Sequence, residues 1–237
     1  MFMKMTSIIV LAGGLALAGA SGVAAQTTDP KVYVDLNVGG QMHTVTIATS
    51  STFSLYGETG ASSTSQTVGR GLVFDGGAGY RVRRSLAIGV AVSMFTRSPA
   101  GDVSITLPDQ FAFNAFSTVA ASPKLTQTEV ATHVKVAYVV RVNDKMDVVV
   151  SGGPSLVHVS KEIASVNVTN GTAQIEVATQ TGTATGVHGS LDANYLFTPR
   201  MGAGIFVRYV LAQVALPAAP ELKVGGLQAG FGLRVRF

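Results

Sequence analysis

From residue 31 onward the chain alternates apolar with polar or small residues at a period of two, the pattern of strands that have one apolar face. Eight segments carry it. In 31–40, Val32, Val34, Leu36 and Val38 alternate with Tyr33, Asp35 and Asn37. In 71–83, Leu72, Phe74, Ala78, Tyr80 and Val82 face Asp75, Gly77, Gly79 and Arg81. In 86–97, Leu86, Ile88, Val90, Val92 and Met94 oppose mainly Gly, Ala and Ser. In 127–141, Val130, Val134, Val136, Tyr138 and Val140 share a face with Thr128 and Thr132, against Gln127, Glu129, His133, Lys135 and Arg141. Segment 145–159 sets Met146, Val148 and Val150 against Asp147, Val149 and Ser151, with a bulge or bend expected at Gly152-Gly153-Pro154. In 184–197, Val187, Leu191, Ala193, Tyr195 and Phe197 oppose His188, Ser190, Asp192 and Asn194. In 201–214, Ala203, Ile205, Val207, Tyr209 and Leu211 oppose Gly202, Gly204 and Arg208. The closing stretch sets Phe231, Leu233, Val235 and Phe237 against Gln228, Arg234 and Arg236.

The connections alternate in length. Residues 82–85, 142–145 and 197–200 read as tight turns. Long links rich in Ser, Thr, Gly, Ala and Asn fill 41–70, 98–126 and 160–183, with a shorter one at 215–223. Short turns on one side and long loops on the other describe an up-and-down transmembrane barrel, whose periplasmic turns are short. The expectation is an all-β, eight-stranded antiparallel transmembrane β-barrel. Residues 42–57 also carry strand-like runs, which form either a hairpin above the membrane or two further strands of a ten-stranded barrel.

Composition sharpens this. Charged residues are 13% of the chain, about half the roughly 25% usual for soluble domains, so a wet face is poorly supplied. The basic residues are dispersed, which argues against a nucleic-acid stripe. With no cysteine there is no disulfide framework and no thiolate metal site. The start, with Lys4, an apolar run from Ile8 to Ala18 and Val23-Ala24-Ala25, reads as a secretory signal peptide over 1–25, leaving a barrel domain over 26–237. Few charges and many small residues on the second face suit a narrow lumen, which in an eight-stranded barrel is just wide enough for side chains. Asp35, Asp75, Glu129, Asp147 and Asp192 are expected to pair there with Arg81, Lys135, Arg141, Arg208, Arg234 and Arg236, because unpaired charges in such a space are costly. The competing reading is a soluble sandwich or lipocalin-like cup.

The last eight residues, Gly-Phe-Gly-Leu-Arg-Val-Arg-Phe, stop in mid-strand on an aromatic residue. They resemble the carboxy-terminal signature of bacterial outer-membrane proteins, and the mature chain as a whole resembles the small outer-membrane β-barrel family of the OmpA/OmpX-like eight-stranded type. The resemblance implies a Gram-negative outer-membrane location, outer-membrane lipids as surroundings, and recognition by the barrel-assembly machinery through Phe231, Leu233, Val235 and Phe237. Members of that family stabilise the membrane or act at the cell surface, and a few modify lipid.

Candidate chemistry is sparse. The glycines of 76–81 and 202–208 lack the strand-to-helix context of a phosphate loop and read as strand glycines. His133, His188, Glu129 and Asp192 face inward, as a structural network or a metal site. His158 and Ser160 resemble the His-x-Ser of outer-membrane lipid A deacylases, with Glu162 or Glu176 as the third group that such a dyad needs. Only two positioned groups are legible there. No residue is therefore assigned a catalytic, cofactor-binding or metal-binding role, and no cofactor is expected. The functional expectation is a non-enzymatic outer-membrane barrel acting in membrane integrity or, through its extracellular loops, in surface interaction. The alternatives are a narrow channel or carrier for small solutes and a lipid A-modifying enzyme.

Overall fold

A computed structural model describes residues 30–169, 172–217 and 219–237. The signal segment read at 1–25 lies outside the described residues. Among the described residues all regular structure is β: β1 (Val32–Gln41), β2 (Val45–Leu55), β3 (Glu58–Val68), β4 (Gly71–Arg83), β5 (Leu86–Arg97), β6 (Gly101–Pro108), β7 (Phe116–Ala121), β8 (Gln127–Arg141), β9 (Met146–Thr169), β10 (Thr172–Leu196), β11 (Met201–Leu216) and β12 (Ala219–Arg236).

Eight of these form a closed antiparallel barrel in the order β1-β12-β11-β10-β9-β8-β5-β4, and β4 pairs back onto β1. Closure removes every sheet edge from the hydrocarbon, the condition for crossing a bilayer with strands. The seam is carried by β1 and β12, where Val32 and Phe237 exchange backbone hydrogen bonds of 3.1 and 2.8 Å. The period-two pattern puts Leu36, Phe74, Ile88, Val90, Val136, Leu191, Ile205 and Leu233 on the outside, each at least half exposed to the surroundings. On β5 this band runs from Leu86 to Met94, about 27 Å along the strand at 3.4 Å per residue. With strands tilted about 35–45°, this spans a height of roughly 19–22 Å, close to the roughly 25 Å apolar belt of outer-membrane barrels. Tyr80, Tyr138, Tyr195 and Phe197 gather near the short-turn end, where aromatic girdles meet the interface.

The short turns are built by local side-chain acceptors. Asn143 Oδ1 accepts from the N–H groups of Lys145 and Met146, and Thr198 Oγ1 from those of Arg200 and Met201. The expected bulge at Gly152-Gly153-Pro154 is absent. The β9–β10 register runs through it unbroken, and β8 pairs with β9 in one register on either side of the proline. Pro154 offers no N–H, so the ladder skips a rung there without slipping.

The long links are the larger departure. They are strands. Residues 45–68 form a hairpin above the barrel, and β6 and β7 form a second within 98–126, giving a separate sheet in the order β2-β3-β6-β7. Residues 160–169 and 172–183 are the continuation of β9 and β10, paired up to Thr169 and Thr172. In the link read at 215–223, residues 215–216 and 219–223 are strand as well, and residue 217 is a turn. Ser and Thr, which suggested loops, here sit on pleated surfaces with hydroxyl partners across the rungs, as in Ser51–Ser62 at 2.7 Å and Thr46–Thr67 at 2.9 Å.

Candidate functional site

The lumen is filled from the short-turn end upward. Arg236 is paired with Asp147, and Asn194 Nδ2 donates to the same carboxylate at 2.8 Å. Arg234 donates to Asn194 Oδ1 at 2.8 Å and to Asn37 Oδ1 at 2.6 Å, and lies 3.5 Å from Asp35 and 3.3 Å from Asp192. Lys135 reaches Asp35 at 3.1 Å. At the next level Asp75 accepts from Asn37 Nδ2 and Arg208 Nη1, both at 2.7 Å. These side chains hang from seven of the eight barrel strands, so the network ties the cylinder across its diameter. A cavity of about 40 Å³ remains among Tyr33, Asp35, Lys135, Asp192 and Arg234. That holds a few waters and is far below the roughly 300–1,000 Å³ of ligand pockets.

Above Asp75 lies a buried imidazole pair. The rings of His133 and His188 stand 4.7 Å apart, edge to face. Ser155 Oγ bridges them, 2.8 Å from His133 Nδ1 and 2.9 Å from His188 Nδ1, and Ser93 Oγ lies 3.0 Å from His133 Nε2. Of the four groups read as a possible metal cluster, the fold therefore brings only the two histidines together. Asp192 belongs to the arginine network below. Glu129 sits above, and the expectation that it pairs with an arginine or lysine is corrected. It is held by amides: Gln127 Nε2 at 2.7 Å, Gln41 Nε2 at 3.4 Å and the Gly225 N–H at 3.1 Å. Gly225 and Gly226 both have positive φ, 86° and 89°, a conformation that glycine adopts without strain and that accompanies this contact on β12. Lys161, fully buried, donates to Gln127 Oε1 at 3.0 Å and completes the layer.

Beside this polar layer the upper lumen carries an apolar cluster, which the alternation did not reveal. Ala131, Val157, Val159, Val210, Val214, Leu216, Leu222 and Val224 form one buried cluster, capped by Val45 and Ile47 at the start of β2. A second cluster, Val103, Ile105, Leu125 and Ala164, joins the separate sheet to the extended β9–β10 hairpin, with Phe53, Leu107, Val166 and Ile175 packed around it. Val68, Val73 and Phe95 make a third contact at the rim. The β2-β3-β6-β7 sheet is thus anchored over the mouth by apolar packing that continues into the barrel.

The His-x-Ser pair does not assemble into a dyad in this geometry. His158 is exposed on the outer face, and its Nδ1 lies 2.9 Å from Thr183 Oγ1 on the neighbouring strand. Glu162 accepts the Thr126 N–H at 2.7 Å. Glu176 is exposed farther up the hairpin.

A closed eight-stranded cylinder with an apolar outer band and a charged lumen has a direct counterpart among family models. The model described as "Outer membrane protein beta-barrel domain" matches residues 10–234. The chain belongs to this family. The protein is accordingly a β-barrel of the bacterial outer membrane, with its short turns toward the periplasm and the separate sheet on the extracellular side. Among solved structures, the chain is similar to OprG from Pseudomonas aeruginosa, with 9% identity, 88% of this chain and 96% of that chain covered, and a TM-score of 0.49. Neisserial surface protein A (NspA) gives 16% identity, 87% and 97% coverage and a TM-score of 0.47. Ail, the attachment invasion locus protein of Yersinia pestis, gives 10%, 86%, 99% and 0.39. No curated protein matches the chain in sequence.

Proposed function

We propose that this outer-membrane barrel is non-enzymatic and works at the cell surface, using the β2-β3-β6-β7 sheet and the β9–β10 hairpin as its interaction structure. The observation that carries the reading is the continuous apolar seal from Val157 and Val210 inside the barrel to Val45 and Ile47 at its mouth. A pore needs a wet path, and here a buried charge network and an apolar stopper lie in series. A large share of the chain is instead built into ordered structure above the membrane. The non-enzymatic reading is also favoured by His158, which is exposed on the outer face and engaged with Thr183.

The test combines two measurements on the full chain. Planar-bilayer recordings are expected to show no steady open level. Cells producing the protein are expected to bind cultured epithelial cells more than cells lacking it, and to lose this on shaving of the extracellular sheet with proteinase K, a protease that needs no lysine or arginine. A large, stable conductance would replace this reading with a channel, and altered lipid A mass spectra in producing cells would replace it with a lipid-modifying enzyme. Assembly belongs to the same proposal. Phe231, Leu233, Val235 and Phe237 on the closing strand form the positions that the barrel-assembly machinery engages. Phe237→Ala is expected to lower the folded fraction in the outer membrane without changing the lumen network.

A further inference from the structure

The far end of the extracellular sheet carries an unexplained apolar surface. Two turns lie side by side there. Tyr56 and Gly57, with φ of 54° and 81°, make the tight turn between β2 and β3, and residues 109–115 join β6 to β7. Phe111 is 92% exposed and Phe113 81%, with Phe116 and Tyr56 about half exposed beside them. The segment that presents them is built. Asp109 Oδ1 accepts the Phe111 N–H at 2.7 Å, the Asp109 N–H donates to Ala115 O at 2.8 Å, and the Asn114 N–H donates to Glu58 Oε1 at 2.8 Å, which locks one turn to the other. Asn114 holds a positive φ of 60° to do so.

From this geometry we infer that the aromatic tip formed by Tyr56, Phe111, Phe113 and Phe116 docks into the interface of an apposed, electrically neutral lipid bilayer. The inference rests on the surface-interaction reading above and names its partner. The phenylalanines stand proud of the surface and do not line a groove, which suits insertion among headgroups rather than a shape-matched peptide. The tip is remote from the protein's own membrane. It lies at the end of strands of 11 residues (β2) and 8 residues (β6) that start at the barrel mouth, roughly 25–35 Å along the chain at about 3.3 Å per residue. Charge selects the lipid. Residues 45–68 and 101–123 contain Glu58, Asp102 and Asp109 and no lysine or arginine, so an anionic surface is disfavoured and a zwitterionic one is not.

The chain has no tryptophan, so Phe111→Trp introduces a single reporter. The full-length variant is held in lipid nanodiscs and mixed with separate phosphatidylcholine vesicles whose acyl chains are brominated. The expected result is a blue shift and quenching on vesicle addition, unchanged by 0.5 M NaCl. Adding Phe113→Ser is expected to raise the half-saturating lipid concentration roughly tenfold, the worth of one partly buried aromatic ring, with heat-modifiable gel mobility retained as proof of folding. Three results would overturn the inference: no spectral change at millimolar lipid, an emission already shifted in the disc before vesicles are added, or binding that appears only with anionic lipid. If Phe111→Ser/Phe113→Ser cells lose epithelial binding while the reporter ignores vesicles, the tip recognises a protein, the lipid inference fails and the surface-interaction reading stands. If epithelial binding never depended on the protein, that reading itself fails.

Discussion

Asp75 is the node where the lumen network stands or falls. Its carboxylate takes Arg208 Nη1 and Asn37 Nδ2 at 2.7 Å each, and the side chains of Arg208 and Asp75 are 7% and 2% exposed. Asp75→Asn keeps the shape and one acceptor for Asn37 but strips the charge facing Arg208. Removing one partner of a buried pair costs about 3–5 kcal/mol, because the other charge stays behind unsolvated. Arg208→Met is expected to cost a similar amount by orphaning Asp75. The double variant removes both charges together and is expected to be less destabilised than the sum of the two by at least about 2 kcal/mol. The assay is urea unfolding of the refolded barrel in phosphatidylcholine vesicles, read by the loss of heat-modifiable mobility on cold gels. Single variants that each cost under about 1 kcal/mol, or a double variant additive within about 0.5 kcal/mol, would refute the picture of a lumen braced by this ion pair.

Other regions give independent outcomes. Val90→Arg places a charge in the middle of the outward band and is expected to cost about 2–4 kcal/mol in the same assay, whereas Val119→Arg on β7, above the membrane, is expected to cost little. Ser155→Ala leaves the Nδ1 atoms of His133 and His188 facing each other without their bridge, with an expected loss of about 1–3 kcal/mol for each buried group stranded. Ile105→Ala hollows the contact between the extracellular sheet and the β9–β10 hairpin. It is expected to expose the β6–β7 hairpin to limited proteolysis while barrel mobility on gels is unchanged, since no barrel rung depends on it.

The barrel was legible because membrane crossing imposes the simplest of patterns. In 127–141 and 201–214 every second residue must satisfy hydrocarbon, so Val134, Val136, Ile205 and Val207 announce their face, and β8 coincides with the segment read from the sequence. The family resemblance was carried by that alternation and by the closing Phe237. The extracellular architecture was much less legible. Residues 103–107 do alternate, with Val103, Ile105 and Leu107 turned to a buried cluster, but in a Ser- and Thr-rich setting the signal reads as a loop. The continuation of β9 and β10 past residue 160 was hidden for the same reason. Above the membrane no lipid demands a continuous apolar face, and hydroxyl rungs replace it.

The candidate site divides along the same line. Arg208, Arg234, Arg236, Asp75 and Asp147 were readable as lumen charges, since a charge on the inward parity of a narrow barrel has nowhere else to go. Their partners were not readable, because pairing across the cylinder depends on shear and height. Glu129 shows this best: sequence parity offered it a cation, and the fold gives it Gln127, Gln41 and the Gly225 N–H. The apolar stopper was missed because inward positions were expected to be polar. The signal was present in Val157, Val159, Val210 and Val214, inward by parity but apolar, all at the end of the barrel that Val45 and Ile47 cover.

The most direct test of the whole account is where the outward face sits. Single tryptophans at Val90, Val136, Leu191 and Val207, introduced one at a time into the tryptophan-free chain, are expected to be strongly quenched by brominated acyl chains of the bilayer that holds the barrel. A tryptophan at Val119 on the extracellular sheet is expected to remain bright. Unquenched emission from the four band positions, in a protein that stays monodisperse without detergent, would contradict a membrane barrel.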